Sequence, residues 1–218
     1  MQELIVPYCE RLASGAEPIN TVSNVFYAIS SLLCVYQLCH FGHQSRHSLR
    51  PAIHCLLWIL SLLPLALSVG SALFHATPSI LTQTLDIIPI ALFIAIAFGL
   101  VLRLHFHMNA VQLTSVLLLW IAASAIASVQ QLVLPHSLVY VPTLLLIMLF
   151  SVCSPQWRKV FLQVTFVFGA ALTFRVLDLP LCQHVSIGVH WLWHALSAIA
   201  LAYAFIAVLR ISNDSLAP

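Results

Sequence analysis

The sequence predicts an all-α fold, a polytopic membrane protein with seven transmembrane helices, and three observations predict it. Only 6% of the 218 residues are charged, whereas a soluble domain has about 25%. Hydrophobic residues make up 61% of the chain, and the mean hydropathy is +1.03. A spanning helix needs roughly 20 apolar residues, and seven such stretches with short loops use up the chain. We therefore expect one seven-helix domain over residues 1–218.

Polar or turn-forming segments separate the seven apolar stretches. Pro18 suits the first turn of the first helix, and Thr77-Pro78-Ser79 makes a turn between the second and third. Basic loops at 41–50 and 154–159 end the first and fifth helices. The predicted spans are Ile19–Leu38, Ala52–Ala76, Leu81–Leu102, Val111–Val129, Leu138–Val152, Val160–Val176 and Val189–Leu209.

The distribution of basic residues predicts the orientation in the membrane. With seven helices the two termini lie on opposite sides. Only Arg11 and Arg175 fall on the N-terminal side, whereas the C-terminal side has Arg46, Arg50, Arg103, Arg158, Lys159 and Arg210. Because basic residues favour the cytoplasmic side, we expect a cytoplasmic C-terminus and an outer N-terminus. The short loops favour a bacterial inner membrane, with an ER or Golgi membrane as the alternative.

Four ionisable residues lie near the outer ends of three helices. His190 and His194 are four apart and share one face of the last helix. His75 ends the second helix and Asp86 follows the start of the third, so all four lie at similar depth below the outer face. Ionisable residues within a membrane are functional candidates by default. The alternative for the histidine pair is hydrogen bonding between helices alone.

Three histidines match the ligand set of a catalytic zinc ion, which keeps a fourth position for water and lowers its pKa to about 7. Asp86 could accept a proton as a general base, or orient a ligand histidine. Ser71, one turn from His75, could donate a hydrogen bond to a developing oxyanion. These parts can hydrolyse an amide or ester carbonyl, and inside a membrane the natural substrate is a lipid.

The same residues resemble the pattern of a superfamily of seven-helix membrane hydrolases. It includes alkaline ceramidases, progestin/adiponectin-type receptors and GPI-lipid remodelling proteins. The finer matches resemble alkaline ceramidases along most of the chain. They are Tyr8-Cys9-Glu10, Glu17-Pro-Ile-Asn-Thr-Val-Ser-Asn24, Gly70-Ser-Ala-Leu-Phe-His-Ala-Thr77, Gln83-x-Leu-Asp86-x-x-Pro89, Asp178-x3-Cys182, and His190-Trp-Leu-Trp-His194.

The resemblance implies zinc held by His75, His190 and His194, with Asp86 in proton transfer and Ser71 in oxyanion stabilisation. The implied reaction is hydrolysis of the ceramide amide to a sphingoid base and a fatty acid. The resemblance also implies a disulfide between Cys9 and Cys182, which the outer, oxidising side permits.

The resemblance further implies calcium ligands at Glu10 and Glu17. However, Pro7 and Leu12 stand where eukaryotic alkaline ceramidases have Asp and Asn. Calcium usually takes six or more oxygen ligands, so the sequence leaves this site open.

Three other functions remain open. An ester lipase acting on a phospholipid or GPI-type lipid would use the same parts. A receptor or lipid-binding protein would hold a structural zinc in a closed site, with Asp86 as fourth ligand. Transport is disfavoured because the polar residues cluster at one depth. We expect a membrane lipid as partner and no nucleic acid.

Overall fold

The computed structural model describes residues 8–44, 50–129 and 137–215, with side chains excluded for 41–44. Pro7 and Arg46, used above, lie outside these ranges. The described residues form nine α-helices and no strand, which confirms the all-α prediction. The helices are α1 (Cys9–Ser14), α2 (Pro18–Ser23), α3 (Val25–Gln44), α4 (Pro51–Ala76), α5 (Ile80–Leu104), α6 (Ala110–Val129), α7 (Val141–Cys153), α8 (Arg158–Leu177) and α9 (His190–Asp214).

Six of the helical segments are long and apolar enough to cross a membrane: Pro18–His40, Pro51–Ala76, Ile80–Leu104, Ala110–Val129, Arg158–Leu177 and His190–Asp214. The seventh predicted span is a shorter apolar helix, Leu138–Cys153, which begins with a 3₁₀ turn. Large apolar side chains such as Leu32, Val111 and Phe166 are exposed on the outside of these helices. An apolar exterior is the surface that a multi-pass membrane protein presents to lipid.

The first span is divided at Asn24, between α2 and α3. The amide of Asn24 donates to the carbonyl oxygen of Asn20 at 2.8 Å, and the Ser23 hydroxyl donates to the same oxygen at 2.9 Å. Side chains that bond to nearby backbone groups compete with the helical ladder. Next to the break, the buried hydroxyl of Ser23 contacts α9, against which α2 packs.

The last helix, α9, lies at the centre of the bundle. It packs against α2, α3, α4, α5 and α8. By contrast, α6 has no buried residue and lies at the periphery. The N-terminal end of α9 is therefore surrounded by other elements, and it carries His190 and His194.

Candidate metal centre

Three buried histidines converge at the N-terminal end of α9. His75 lies in the last turn of α4, and His190 and His194 lie in the first two turns of α9. One ligand nitrogen from each ring lies within 4.8 Å of those of the other two. The ring centroids are 5.2 Å apart for His75 and His190, 4.9 Å for His75 and His194, and 4.7 Å for His190 and His194. The structure thus brings together the three histidines that the sequence singled out.

The hydrogen bonds of His194 fix which ring nitrogen is free. Its Nδ1 lies 2.7 Å from the hydroxyl oxygen of Ser23. That hydroxyl has a single hydrogen, which it donates to the carbonyl of Asn20 at 2.9 Å. The Ser23 oxygen therefore accepts a hydrogen bond from Nδ1–H, and the lone pair of His194 Nε2 remains for a metal ion.

His75 has an equivalent arrangement with a carboxylate. Its Nδ1 hydrogen-bonds to Oε2 of Glu17. An ionised carboxylate can only accept, so Nδ1 carries the hydrogen and Nε2 is free. Arg11 holds this pair in place, because its guanidinium lies 2.8 Å from Glu17 Oε1 and donates to the carbonyl of His75 at 2.8 Å. A carboxylate behind a histidine is the usual arrangement at a metal site.

His190 has a ring nitrogen without a partner. Its Nδ1 is buried and makes no hydrogen bond within the described ranges. The ring of Tyr8 stacks on the imidazole, with centroids 3.7 Å apart, and burial raises the pKa of the Tyr8 phenol, which stays neutral. A buried nitrogen without a partner costs free energy. A metal ion would remove that cost, and three neutral imidazoles suit zinc, so the residues present fit a zinc ion.

Asp178 fixes the position of His190 through the backbone. Its carboxylate accepts hydrogen bonds from the N–H groups of Cys9 at 2.9 Å, Val189 at 2.8 Å and His190 at 2.9 Å. Gly188 has a φ of 68°, and a Cβ there would collide with the Asp178 carboxylate and lie 3.0 Å from Cys9 Cβ. Asp178 therefore joins the start of α9 to the start of α1. The sequence analysis identified Asp178 only as part of the Asp178-x3-Cys182 motif.

The disulfide between Cys9 and Cys182 is confirmed. Its Cα atoms are 5.3 Å apart and the two residues are 173 positions apart in the chain. The bond links α1 to the loop between α8 and α9. It thereby helps to fix α1, whose Arg11 donates to the carbonyl of His75.

Glu10 and Glu17, the two expected calcium ligands, both have partners in the protein. The carboxylate of Glu10 accepts from the backbone N–H groups of Ile19 at 2.7 Å and Asn20 at 2.9 Å, and so caps the start of α2. Glu17 is paired with Arg11 and His75. These contacts give Glu10 a structural role at the start of α2 and Glu17 a structural role behind His75. Calcium at this place stays a prediction.

Ser71 and Asp86 lie where α4 and α5 approach closely. A Cβ on Gly70 would collide with the carbonyl of Leu85, and would lie 3.2 Å from the backbone nitrogen of Asp86. The glycine therefore allows the two helices to touch next to both polar residues. Ser71 is one turn before His75 in α4, and Asp86 interacts electrostatically with Ser71 and His75. Both candidate catalytic residues are thus beside the histidine cluster.

Two residues near the cluster were not singled out from the sequence. Tyr8 stacks on His190, and the sequence pointed to it only as the first residue of the Tyr8-Cys9-Glu10 motif. Arg175, counted above only as a charge for topology, lies over the rings of Tyr8, Tyr140 and Trp193. No spacing rule connects Arg175 to these rings, because they come from three distant parts of the chain.

An apolar cavity begins beside the histidines and extends along α9. Tyr27, Trp193 and Ser197 line one end, and Val101, Phe161 and Val208 line the other. Tyr27 contacts His194, with ring centroids 5.7 Å apart. The stretch of α9 from Trp193 to Val208 is about 22 Å long at 1.5 Å per residue. The end of the cavity lined by Tyr27 and Trp193 is therefore next to His194.

Comparison with known proteins gives a family match. The sequence model of the Ceramidase family matches residues 7–216, which is nearly the whole chain. No curated protein gives a significant match. The matched region contains every residue of the histidine cluster and its supporting contacts.

Proposed function

The chain belongs to the Ceramidase family, and from this membership we propose that it is a zinc-dependent membrane amidase that hydrolyses ceramide to a sphingoid base and a fatty acid. One observation carries the proposal: three buried histidines converge next to an apolar cavity, whose lining residue Tyr27 contacts His194. A reaction centre at that place would receive the polar part of a lipid whose chain fills the cavity.

His75, His190 and His194 would hold the zinc ion. When bound, zinc supplies a Lewis acid and an activated water for attack on a carbonyl. Glu17 and Ser23 keep two of the rings in the tautomer that offers Nε2.

Asp86 and Ser71 would act on the lipid. The carboxylate of Asp86 takes a proton from the attacking water and passes it to the leaving amine nitrogen. The hydroxyl of Ser71 donates a hydrogen bond to the carbonyl oxygen as its negative charge develops. Their place beside His75 supports both roles.

The length of the cavity suits an acyl chain. A bilayer has a hydrocarbon core about 30 Å thick, so each leaflet's chains extend about 15 Å. The cavity follows α9 over residues that span about 22 Å, and in the proposed function it receives the acyl chain of the substrate. Its lining is almost entirely apolar, with Thr143 and Ser197 as small polar exceptions.

The active site would lie near the outer face of the membrane, with the C-terminus in the cytoplasm. The support is the charge distribution, in which Arg103, Arg158 and Arg210 belong to loops and ends on one side and the histidines to the other.

A lipid panel in detergent tests the proposal. Purified protein is given fluorescent ceramide, a phospholipid and an acyl-ester lipid side by side, and we expect release of fatty acid from ceramide. Turnover of an ester lipid without turnover of ceramide would replace the amidase by an ester lipase. We also expect about one zinc per chain, lost in His190→Ala and His194→Ala and kept in His184→Ala, which alters an exposed histidine. Full hydrolysis by metal-free protein would refute zinc dependence.

A further inference from the structure

Arg175 lies in the last turn of α8, inside a cluster of three aromatic rings. Its guanidinium carbon is 5.0 Å from the ring centroid of Trp193, 5.5 Å from that of Tyr140 and 5.9 Å from that of Tyr8. All three distances are within the range of cation–π attraction. The side chain is only partly buried.

The charge of Arg175 has no partner of opposite charge among the described residues. Both ion pairs found there belong to Glu17, with Arg11 and His75. The Asp178 carboxylate is taken up by three backbone N–H groups. Asp86 attracts Arg175 electrostatically but forms no ion pair with it.

The hydrogen-bond donors of Arg175 are free as well. A guanidinium has five N–H donors and no acceptor. Aromatic faces attract the charge of a guanidinium but accept few hydrogen bonds in its plane. Within the described part of the chain, Arg175 donates no hydrogen bond, not even to the carbonyl oxygens of its own last turn. An arginine in a membrane segment without a partner is costly and marks a function.

The surrounding rings place Arg175 next to the proposed reaction centre. Tyr8 contacts Arg175 and also stacks on His190. Trp193 contacts Arg175 and lines the outer end of the apolar cavity. The guanidinium therefore lies where the cavity meets the histidines, beside the polar part of a bound lipid.

We propose that Arg175 binds an anionic oxygen group of the lipid held at the histidine cluster. This inference rests on the proposed function, because it takes the cavity to hold an acyl chain. Guanidinium and carboxylate or phosphate form parallel hydrogen bonds in matching geometry. The anion has two possible sources with the same chemistry: the carboxylate of the released fatty acid, or a phosphate or carboxylate on the headgroup next to the amide.

Binding measured without turnover tests Arg175 separately from hydrolysis. The affinity of the purified protein is determined for palmitate and for palmitamide, which has the same chain and no charge. We expect Arg175→Gln to weaken palmitate binding about tenfold or more, the effect of charge-assisted hydrogen bonds, and to leave palmitamide binding unchanged. Arg210→Gln, the same change at an exposed position, leaves both unchanged.

A second measurement identifies the source of the anion. Hydrolysis of N-palmitoyl sphingosine and of its 1-phosphate is compared in wild type and Arg175→Gln. A larger loss for the 1-phosphate assigns Arg175 to an anionic headgroup. An equal effect on both substrates, together with weaker palmitate binding, assigns it to the fatty-acid product.

Two further outcomes keep the inference separate from the proposed function. Palmitate binding that is equal in wild type and Arg175→Gln, with no selective loss on the 1-phosphate, overturns the role of Arg175. If the protein hydrolyses no ceramide but still prefers palmitate through Arg175, the proposed amidase activity is refuted and the anion site at Arg175 is supported. If Arg175→Gln does not fold, Arg175→Lys is used, which keeps the charge but lacks the paired donors of the planar guanidinium. We expect Arg175→Lys to weaken palmitate binding severalfold. Unchanged palmitate binding in this variant overturns the inference.

Discussion

Asp178 accepts a hydrogen bond from the backbone N–H of His190, at 2.9 Å. The same carboxylate accepts from Cys9 and Val189. One buried acid therefore sets the start of α9, and with it the position of the first histidine of the cluster, relative to α1. A carboxylate that accepts backbone N–H groups at a helix start also benefits from the helix dipole.

We expect Asp178→Asn to destabilise the protein by about 2 kcal/mol and to weaken zinc binding. An amide keeps one acceptor oxygen in place of two and lacks the charge that strengthens these hydrogen bonds. Thermal unfolding in detergent and zinc content per chain measure the two effects. Asp214→Asn, at the exposed other end of the same helix, is the control and should match wild type. Unchanged zinc content in Asp178→Asn would contradict an anchoring role.

Glu17→Gln should weaken zinc binding about 10- to 100-fold, the usual effect of altering the group behind a ligand histidine. The amide oxygen can still accept from His75, but the charge that favours Nδ1–H and pairs with Arg11 is lost. Competition with a chelator measures the zinc affinity. Glu10→Gln is the matched control: it weakens the cap of α2, touches no histidine, and should leave zinc affinity near wild type. Equal zinc affinities for Glu17→Gln and Glu10→Gln would refute a specific role of Glu17 behind His75.

The sequence predicted the helices and the candidate cluster because both depend on local spacing. Apolar stretches of fixed length indicate spans, and alternating helix direction puts helix ends on one side. The sequence alone therefore places His75 and Asp86 at the depth of His190. The Cys9–Cys182 pair followed from resemblance to a family.

The supporting contacts could not be predicted, because they join residues distant in the chain whose separation follows no period. Ser23 meets His194 across 171 positions, and Asp178 meets Cys9 across 169. The break at Asn24 that turns Ser23 inward depends on side-chain hydrogen bonds to the backbone. The surroundings of Arg175 could not be predicted, because its three aromatic neighbours come together only in the folded protein.

Gly70→Ala should reduce activity strongly, although the change adds only a methyl group. The new Cβ would collide with the carbonyl of Leu85 and push α4 away from α5 next to Ser71 and Asp86. A misplacement of about 1 Å can cost roughly 100-fold in rate, and overpacking costs about 1–3 kcal/mol. Hydrolysis rate and thermal unfolding test both. Gly99→Ala, in α5 with nothing within 4 Å of the added Cβ, should be neutral or stabilise by up to about 1 kcal/mol. Similar behaviour of the two variants would contradict the close approach at Gly70.

Removal of the disulfide should affect the metal centre as well as stability. The bond closes a loop over 173 positions, and a disulfide of this kind contributes about 2–4 kcal/mol. It also holds α1 in place, where Cys9 donates to Asp178 and Arg11 supports Glu17 and His75. We therefore expect the double change Cys9→Ser and Cys182→Ser to lower both the unfolding temperature and the zinc affinity.

The double change Cys39→Ser and Cys55→Ser is the matched control, because both of these cysteines are free and exposed. It should leave stability and zinc affinity as in wild type. Lower stability with full zinc affinity in the Cys9 and Cys182 variant would mean that the histidines keep their arrangement without α1. In that case Asp178 and Glu17 alone would suffice to position His190 and His75.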